Sequence, residues 1–247
     1  NLGLDSIVFI DDSDFEIGLV RDKLPQVLSL QVPKNLTHYP QFIRNLFGLF
    51  GTNRLTLEDK NRTRMYQAAT ARNKLLQRSN SIESYLETLE MSMQIDINQE
   101  KYIRRIAQMT QKTNQFNLTT LRMSEPEVMN YITSEDHMAV SFSLKDRYGD
   151  NGVTGACFVT FDSEQTAMID NLLLSCRVLG RTVEQAFLNE VIEELFNMGA
   201  TLIAAKFRSS PKNNQVKRFY QDFGFEKSRK TNTDIHYKLH VSNWTKK

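Results

Sequence analysis

Cys176 opens a run, Cys176-Arg177-Val178-Leu179-Gly180-Arg181-Thr182-Val183, in which a thiol is followed by two cations, Arg177 and Arg181, and by an amphipathic segment. Positive charge and a nearby helix N-terminus stabilise a thiolate, which makes Cys176 a candidate nucleophile. A thiolate there can carry an acyl group and pass it to a second thiol. The alternative is a small buried residue at a strand end. Leu179, Gly180, Arg181, Thr182 and Val183 would carry the unpaired first N–H groups of the helix, which suit a phosphate, and Gly180 permits close approach. Arg177 is a candidate substrate contact. Asn114, Gln115 and Asn117 form a polar stretch between two helical segments. They can meet substrate hydroxyls, or cap helices and satisfy a loop. Asn213 and Tyr220 belong to the run Asn213-x-x-Val216-x-x-Phe219-Tyr220-x-x-x-Gly224-Phe225. Tyr220 as a core residue is the alternative there. Asp11 and Asp12 end a short apolar run, and hard carboxylates of that kind suit magnesium.

These residues need elements to position them. Residues 7–10 read as a buried strand with a polar carboxyl end, followed by a helix over 14–23 that stops before Pro25. Residues 56–78 are strongly helical, and Ser81 caps a second helix running to Leu89. From Met91 onward the expected order is strand, helix, helix, three strands, helix, strand, helix, strand. Ser124 is the N-cap expected for the second helix of that series. Met138, Val140, Phe142 and Leu144 alternate with Ala139, Ser141 and Ser143, and alternation resumes at Val153. The stretch from Asp146 to Gly152 between them reads as an Asn-Gly-bearing hairpin turn, with Arg147 solvated. Residues 167–174 and 201–207 are further strands, and 182–198 is an amphipathic helix. Cys157 lies within an alternating strand and reads as core. Arg62, Arg64, Arg72 and Lys74 read as a solvated helix face, with docking of an acidic carrier protein as the rarer alternative.

The chain has 247 residues, with 31 basic and 29 acidic side chains and a net charge of +2. That balance gives no global case for nucleic acid or membrane partners. Two cysteines make neither a disulfide framework nor a zinc site, so a reducing, cytoplasmic setting is expected. His137, His236 and His240 have no partner at metal-ligand spacing.

The run Arg177-x-x-Gly180-x-Thr182 resembles the pyrophosphate loop of the GNAT acyltransferases, Gln/Arg-x-x-Gly-x-Gly/Ala, and departs from it at Thr182. The run from Asn213 to Phe225 resembles the second GNAT motif. That resemblance implies that Asn213 steers a pantetheine arm and that Tyr220 protonates a leaving thiolate, a matched transfer for a phenol of pKa about 10. Longer blocks are similar to the FkbH-like family, which joins a HAD-type phosphatase to a GNAT-like domain. These blocks are Gln111-Lys112-Thr113-Asn114-Gln115-Phe116-Asn117-Leu118-Thr119-Thr120, Asp146-Arg147-Tyr148-Gly149-Asp150-Asn151-Gly152, and residues 172–181. The resemblance implies transfer of a glyceryl unit from a phosphorylated three-carbon donor to an acyl carrier protein, in methoxymalonyl-type extender-unit biosynthesis.

The expected fold class is therefore α/β (α+β). Residues 1–55 would be the C-terminal remnant of a HAD-like Rossmannoid domain, 56–90 a helical linker, and 91–247 a GNAT-type mixed sheet flanked by helices. The nucleophile strand of a HAD site would precede residue 1, so the chain is expected to be a C-terminal fragment without phosphatase activity. Asp11 and Asp12 would be a partial magnesium site, filled only in a complete HAD domain. The thiol arm would be the phosphopantetheine of an acyl carrier protein, or coenzyme A. Two other readings are an acetyl-CoA-dependent N-acetyltransferase and a non-catalytic carrier-docking module.

Overall fold

A computed structural model of the chain describes residues 3–50, 62–162 and 165–246. The chain divides into two compact units, Asn1–Leu55 and Thr56–Lys247. In the smaller unit, β1 (Val8–Asp11) and β2 (Leu28–Gln31) pair in parallel, with Val8 opposite Leu28. The helix α1 (Asp14–Lys23) connects them. Its N-cap Ser13 accepts from the Glu16 N–H at 3.4 Å. Acids in the first turn and bases in the last complement the helix dipole. A further helix, α2 (Tyr39–Phe50), completes the described part.

The larger unit begins with α3 (Arg62–Arg78) and α4 (Ile82–Leu89). Ser81 caps α4, accepting from the Ser84 N–H at 3.2 Å. These helices are integral to the larger unit: Tyr85 and Leu89 are buried, and the Arg72 side chain is almost fully buried against the sheet. Residues 51–61, with the expected helix start at Thr56, lie outside the described residues, as do the side chains of Arg62 and Arg64.

The sheet then follows in the order β3 (Ser92–Ile97), β5 (His137–Asp146), β6 (Gly149–Phe161), β7 (Thr166–Leu174), β8 (Leu202–Arg208), β10 (Asp234–His240) and β9 (Glu226–Lys230). The β7–β8 pair is parallel and the other neighbours along this order are antiparallel. A two-residue strand, β4 (Phe116–Asn117), pairs with the end of β7. Between β3 and β5 lie α5 (Ile103–Lys112) and α6 (Glu125–Thr133). Then α7 (Val183–Asn197) links β7 to β8, and the short α8 (Phe219–Phe223) precedes β9. The expected mixed sheet flanked by helices is what the chain forms, with two strands more than the expected order held, β4 and β9.

The period of two along the strands explains the layers. On β6, Cys157 and Val159 enter the core with Phe187, Leu188 and Tyr220, whereas Ala156 and Phe158 enter the opposite core with Ile106 and Val128. On β7, Leu172 and Leu174 face the first core and Leu173 the second. A strand buried on both faces reads as a continuous apolar run, as Leu172-Leu173-Leu174 does. Cys157 is core, as expected, and burial pushes its thiol well above the ordinary range.

The hairpin differs from the sequence expectation. Asp146 pairs with Gly149, so the turn is Arg147-Tyr148. Asn151 and Gly152 instead lie opposite the single residue Leu144, where the register shifts. Gly152 has φ +66°, a conformation that suits a bulge with glycine at the turn-like position. The buried Asn151 amide donates to the Leu144 carbonyl at 3.2 Å and closes the bulge.

Candidate functional site

The loop after β7 passes through a 3-10 turn, Cys176–Val178, then Gly180 (φ +75°) and Thr182 (φ +57°), into α7. Cys176 is exposed, so the buried alternative does not hold. It does not stand at the helix N-terminus either: the turn and the Gly180 bend separate it from the N-cap, Thr182. The first turn of α7 carries its own acid. Burial raises the Glu184 carboxyl, and its Oε2 is a buried atom with no partner among the described residues. An acid in that place disfavours a phosphate on the same amides. The Thr182 carbonyl also closes this turn, accepting from the Gln185 N–H at 3.2 Å. Leu179 is half-buried, Val183 is core and Gly180 is exposed.

Arg181 does not reach toward the thiol. Its guanidinium is buried, donating to Asp146 Oδ2 at 3.0 Å and to the Arg177 carbonyl at 2.5 Å. Arg72 grips the same carboxylate with two bonds, Nε to Oδ2 at 2.8 Å and Nη2 to Oδ1 at 2.9 Å. The Arg72 side chain is 5% exposed and that of Asp146 is 0% exposed, which corrects the solvated-face reading of Arg72. The reason is tertiary: two guanidiniums need a carboxylate in a dry place, and Asp146 supplies it at the start of the hairpin turn. The Tyr148 N–H adds a third donor to Asp146 at 2.8 Å. Burial works against the Asp146 charge, but the bonds from Arg72 and Tyr148 hold its carboxyl below the ordinary value. Burial, then the proximity of Arg72, lowers Arg181. Arg177 lies against Met65 Sδ. Three stretches distant in sequence thus converge: α3, the hairpin and the loop after β7. Arg147 closes the hairpin against α4, its N–H donating to the Leu89 carbonyl at 3.0 Å.

The second focus lies where β7 and β8 part. Their pairing runs only from Thr166–Leu202 to Ile169–Ala205. Beyond that point the gap is filled by the chain itself. Phe116 and Asn117 pair with Leu174 and Leu173, Leu118 N–H donates to the Leu172 carbonyl at 3.0 Å, and Arg208 N–H donates to the Leu118 carbonyl at 2.8 Å. Asn213 is fully buried and clamps this segment, its Nδ2 donating to the Asn117 and Arg208 carbonyls at 2.8 and 2.9 Å. It is therefore committed to the protein's own backbone, which corrects the expectation that it is free to steer an arm. Asn117 donates to the Thr113 carbonyl at 3.2 Å and accepts from Thr120 N–H at 2.8 Å. Asn114 accepts from Arg122, and the Gln115 carbonyl faces Gln215 Nε2 at 3.5 Å. For Asn114 and Asn117, loop satisfaction is the arrangement present.

Tyr220 packs between Phe225 and Tyr237, with ring centroids 5.1 and 5.6 Å away, and is 1% exposed. Its hydroxyl has no partner among the described residues, and burial raises it well above the ordinary phenol value. Ring and hydroxyl are both enclosed, so core packing, the alternative raised for Tyr220, is the arrangement present.

The sequence reading passed over Asp170. On β7 the register shifts so that Phe158 faces Asn171 and Val159 faces Ile169, which leaves Asp170 as the bulged residue. A bulge re-aims its side chain. The carboxylate accepts from Thr160 Oγ1 at 2.6 Å and Tyr131 Oη at 3.1 Å. Burial, then the Asp170 charge, raises Tyr131 to about 12. Asn171 accepts from Thr119 N–H at 3.1 Å, and its Nδ2 is a buried donor without a partner among the described residues. The available signal was a polar pair, Asp170-Asn171, inside an apolar strand.

Asp11 ends β1 and accepts from Ser13 N–H at 2.8 Å, and Asp12 follows, exposed. Among the described residues no group of three His, Cys, Asp or Glu side chains is placed to hold a metal ion. No helix among them is long and apolar enough to cross a membrane.

No protein-family model and no curated protein matches the sequence. Solved structures of similar shape include the ribosomal-protein-S18-alanine N-acetyltransferase from Escherichia coli, at 15% identity and a TM-score of 0.48, over 61% of this chain and 94% of that one. The PaiA N-acetyltransferase from Thermoplasma acidophilum in complex with coenzyme A has 12% identity and a TM-score of 0.49, over 60% and 99%. Ard1 from Thermoplasma volcanium has 14% identity and a TM-score of 0.48, over 60% and 97%.

Proposed function

We propose that the chain is the acyl-transfer part of an FkbH-like protein, passing a glyceryl-type acyl group to the phosphopantetheine thiol of an acyl carrier protein. The observation that carries this reading is the exposed thiol of Cys176 at the end of the central strand β7. The Cys176 thiolate attacks the acyl carbonyl of the donor and the donor's leaving group departs, forming a thioester on the protein. The carrier thiolate then attacks that carbonyl and the Cys176 thiolate leaves. Thioester exchange of this kind is close to isoenergetic, so neither step needs an energy source. The carrier arm approaches Cys176 from its exposed side, because the edge of β7 is already paired with the chain's own residues.

The bulged Asp170 carboxylate favours a second reading, an acetyl-CoA-dependent N-acetyltransferase. A carboxylate beside a polar loop can take a proton from an amine acceptor.

The test uses the full chain with a glyceryl-pantetheine thioester and a holo carrier protein, followed by intact mass measurement. The expected result is one glyceryl adduct on the wild type and none on Cys176→Ala, with delivery to the carrier lost in the variant. An adduct retained by Cys176→Ala overturns Cys176 as the station. Delivery without any adduct favours a docking role, and acetylation of amines by acetyl-CoA, abolished by Asp170→Asn, favours the second reading.

A further inference from the structure

A cavity of about 230 Å³ opens between α3 and the hairpin. Met65, Ala68 and Arg72 line it from the helix; Tyr148, Asp150 and Asn151 line it from the hairpin. We propose that it is a binding site for a small oxyanion, a carboxylate or phosphate of a few heavy atoms. This proposal does not rest on the acyl-transfer reading.

Charge supplies the argument. Two guanidiniums, Arg72 and Arg181, are buried on one carboxylate, Asp146. Among the described residues, this buried cluster carries one positive charge more than its own anion cancels. A buried excess of charge is unfavourable unless a counter-ion offsets it. Arg72 spends Nε and Nη2 on Asp146, which leaves Nη1 as its nitrogen not used there, and the residue lines the cavity. Among the described residues that line the cavity, Asp150 on the rim is the acid. It is engaged by the Gly152 N–H at 2.7 Å and lies 3.7 Å from the Lys145 ammonium, and its side chain is more than half exposed. It therefore does little to offset the buried excess, since exposed pairs are well screened. The Tyr148 ring, with the Arg72 and Arg147 guanidiniums 5.9 and 5.8 Å from its centroid, walls the cavity beside the cation. The volume lies below the roughly 300 Å³ at which drug-sized ligands are held, and suits a small anion with its waters.

Asn151 fixes the geometry. Its amide is spent on the Leu144 carbonyl at 3.2 Å and on Asp146 Oδ2 at 3.4 Å, so the bulge holds the carboxylate toward the arginines. The anion's own contact is thereby assigned to Arg72.

The experiment titrates the full chain with inorganic phosphate and separately with glycerate, at constant ionic strength, by calorimetry and amide NMR. Glycerol is the neutral control. The expected result is saturable binding of at least one anion, none of glycerol, and chemical-shift changes centred on Tyr148 and Asn151. Phosphate alone, or glycerate alone, identifies which oxyanion the cavity accepts. Ala68→Leu fills the cavity from the half-exposed helix face without touching the arginines, and weakens binding at least tenfold. Arg72→Lys, which keeps the charge but loses the two-point grip, weakens it as well if the variant folds. The proposal fails if neither anion saturates, if glycerol binds equally, or if Ala68→Leu binds like the wild type with an unchanged melting temperature.

Discussion

Asp146 is the residue on which the most buried charge depends. Four donors, Arg72, Arg181, the Tyr148 N–H and the Asn151 side-chain amide, converge on its fully buried carboxylate. Asp146→Asn keeps the shape and leaves two buried guanidiniums without a carboxylate, so we expect a loss of about 3–5 kcal/mol at neutral pH. The pH dependence follows from the depressed folded-state pKa. The stabilisation is fully present above the unfolded value of about 4, and is lost as pH falls through the lower folded value. Urea unfolding at pH 7 and pH 3 measures this: the gap between wild type and variant narrows on acidification. Tyr220→Phe has the opposite sign. The hydroxyl it removes is buried and unpartnered, so the variant should be as stable as the wild type or up to about 1 kcal/mol more stable. Transfer activity should be unchanged, because the phenol sits in the core. A rate loss with unchanged stability would restore Tyr220 as an acid. Little of this was legible beforehand. Cys176 and the loop after β7 announced themselves by residue type, but the partner of Arg181 lies 35 positions away on the hairpin and that of Arg72 lies 74 away. Sequence spacing carries no trace of such pairs.

At the scale of elements, periodicity found what is half-buried and missed what is held by backbone alone. The alternation in β5 and β6 and the apolar run of β7 gave those strands directly. β9 reads Glu226-Lys227-Ser228-Arg229-Lys230, exposed throughout, and is held as an edge strand by its pairing to β10. No hydrophobic pattern could reveal it. β4 is hidden for another reason: it is a wedge whose existence depends on β7 and β8 parting. Asn213 is the clasp of that wedge, giving two bonds and accepting one from Ser210 N–H at 2.8 Å. Asn213→Ala leaves the Asn117 and Arg208 carbonyls without their amide donor. A cost of about 2–4 kcal/mol follows from losing buried hydrogen bonds. Hydrogen exchange locates it: the Leu118 and Arg208 amides should exchange at least tenfold faster, while the Val140 and Cys157 amides, deep in the β5–β6 pairing, keep their protection. Uniform acceleration across all four would mean that Asn213 supports the whole sheet rather than the wedge.

At the scale of the molecule, the two units differ in the core each can draw on. Among its described residues, the smaller unit buries only Ile17, Val27 and Ser29, whereas the larger buries aromatic and aliphatic side chains on both faces of its sheet. A unit of this length is marginal even with a full core, because it buries only about 60% of the surface its unfolded chain exposes. The smaller unit's α2 also leaves Phe47, Leu49 and Phe50 exposed. A piece covering residues 56–247 should therefore fold alone, unfold in one cooperative transition, and melt within a few degrees of the full chain. A piece covering 1–55 should show a largely unfolded circular dichroism spectrum. The comparison reads stability directly, because the helices α3 and α4 travel with the larger piece and bring Arg72 to Asp146. Cutting at residue 91 instead removes Arg72, Tyr85 and Leu89 together. That shorter piece should lose at least about 3 kcal/mol, the lower figure for breaking one buried ion pair, before any loss of apolar burial is counted. If the two larger pieces melt together, the helices contribute no net stability, and the buried arginine pair would be worth no more than a surface contact.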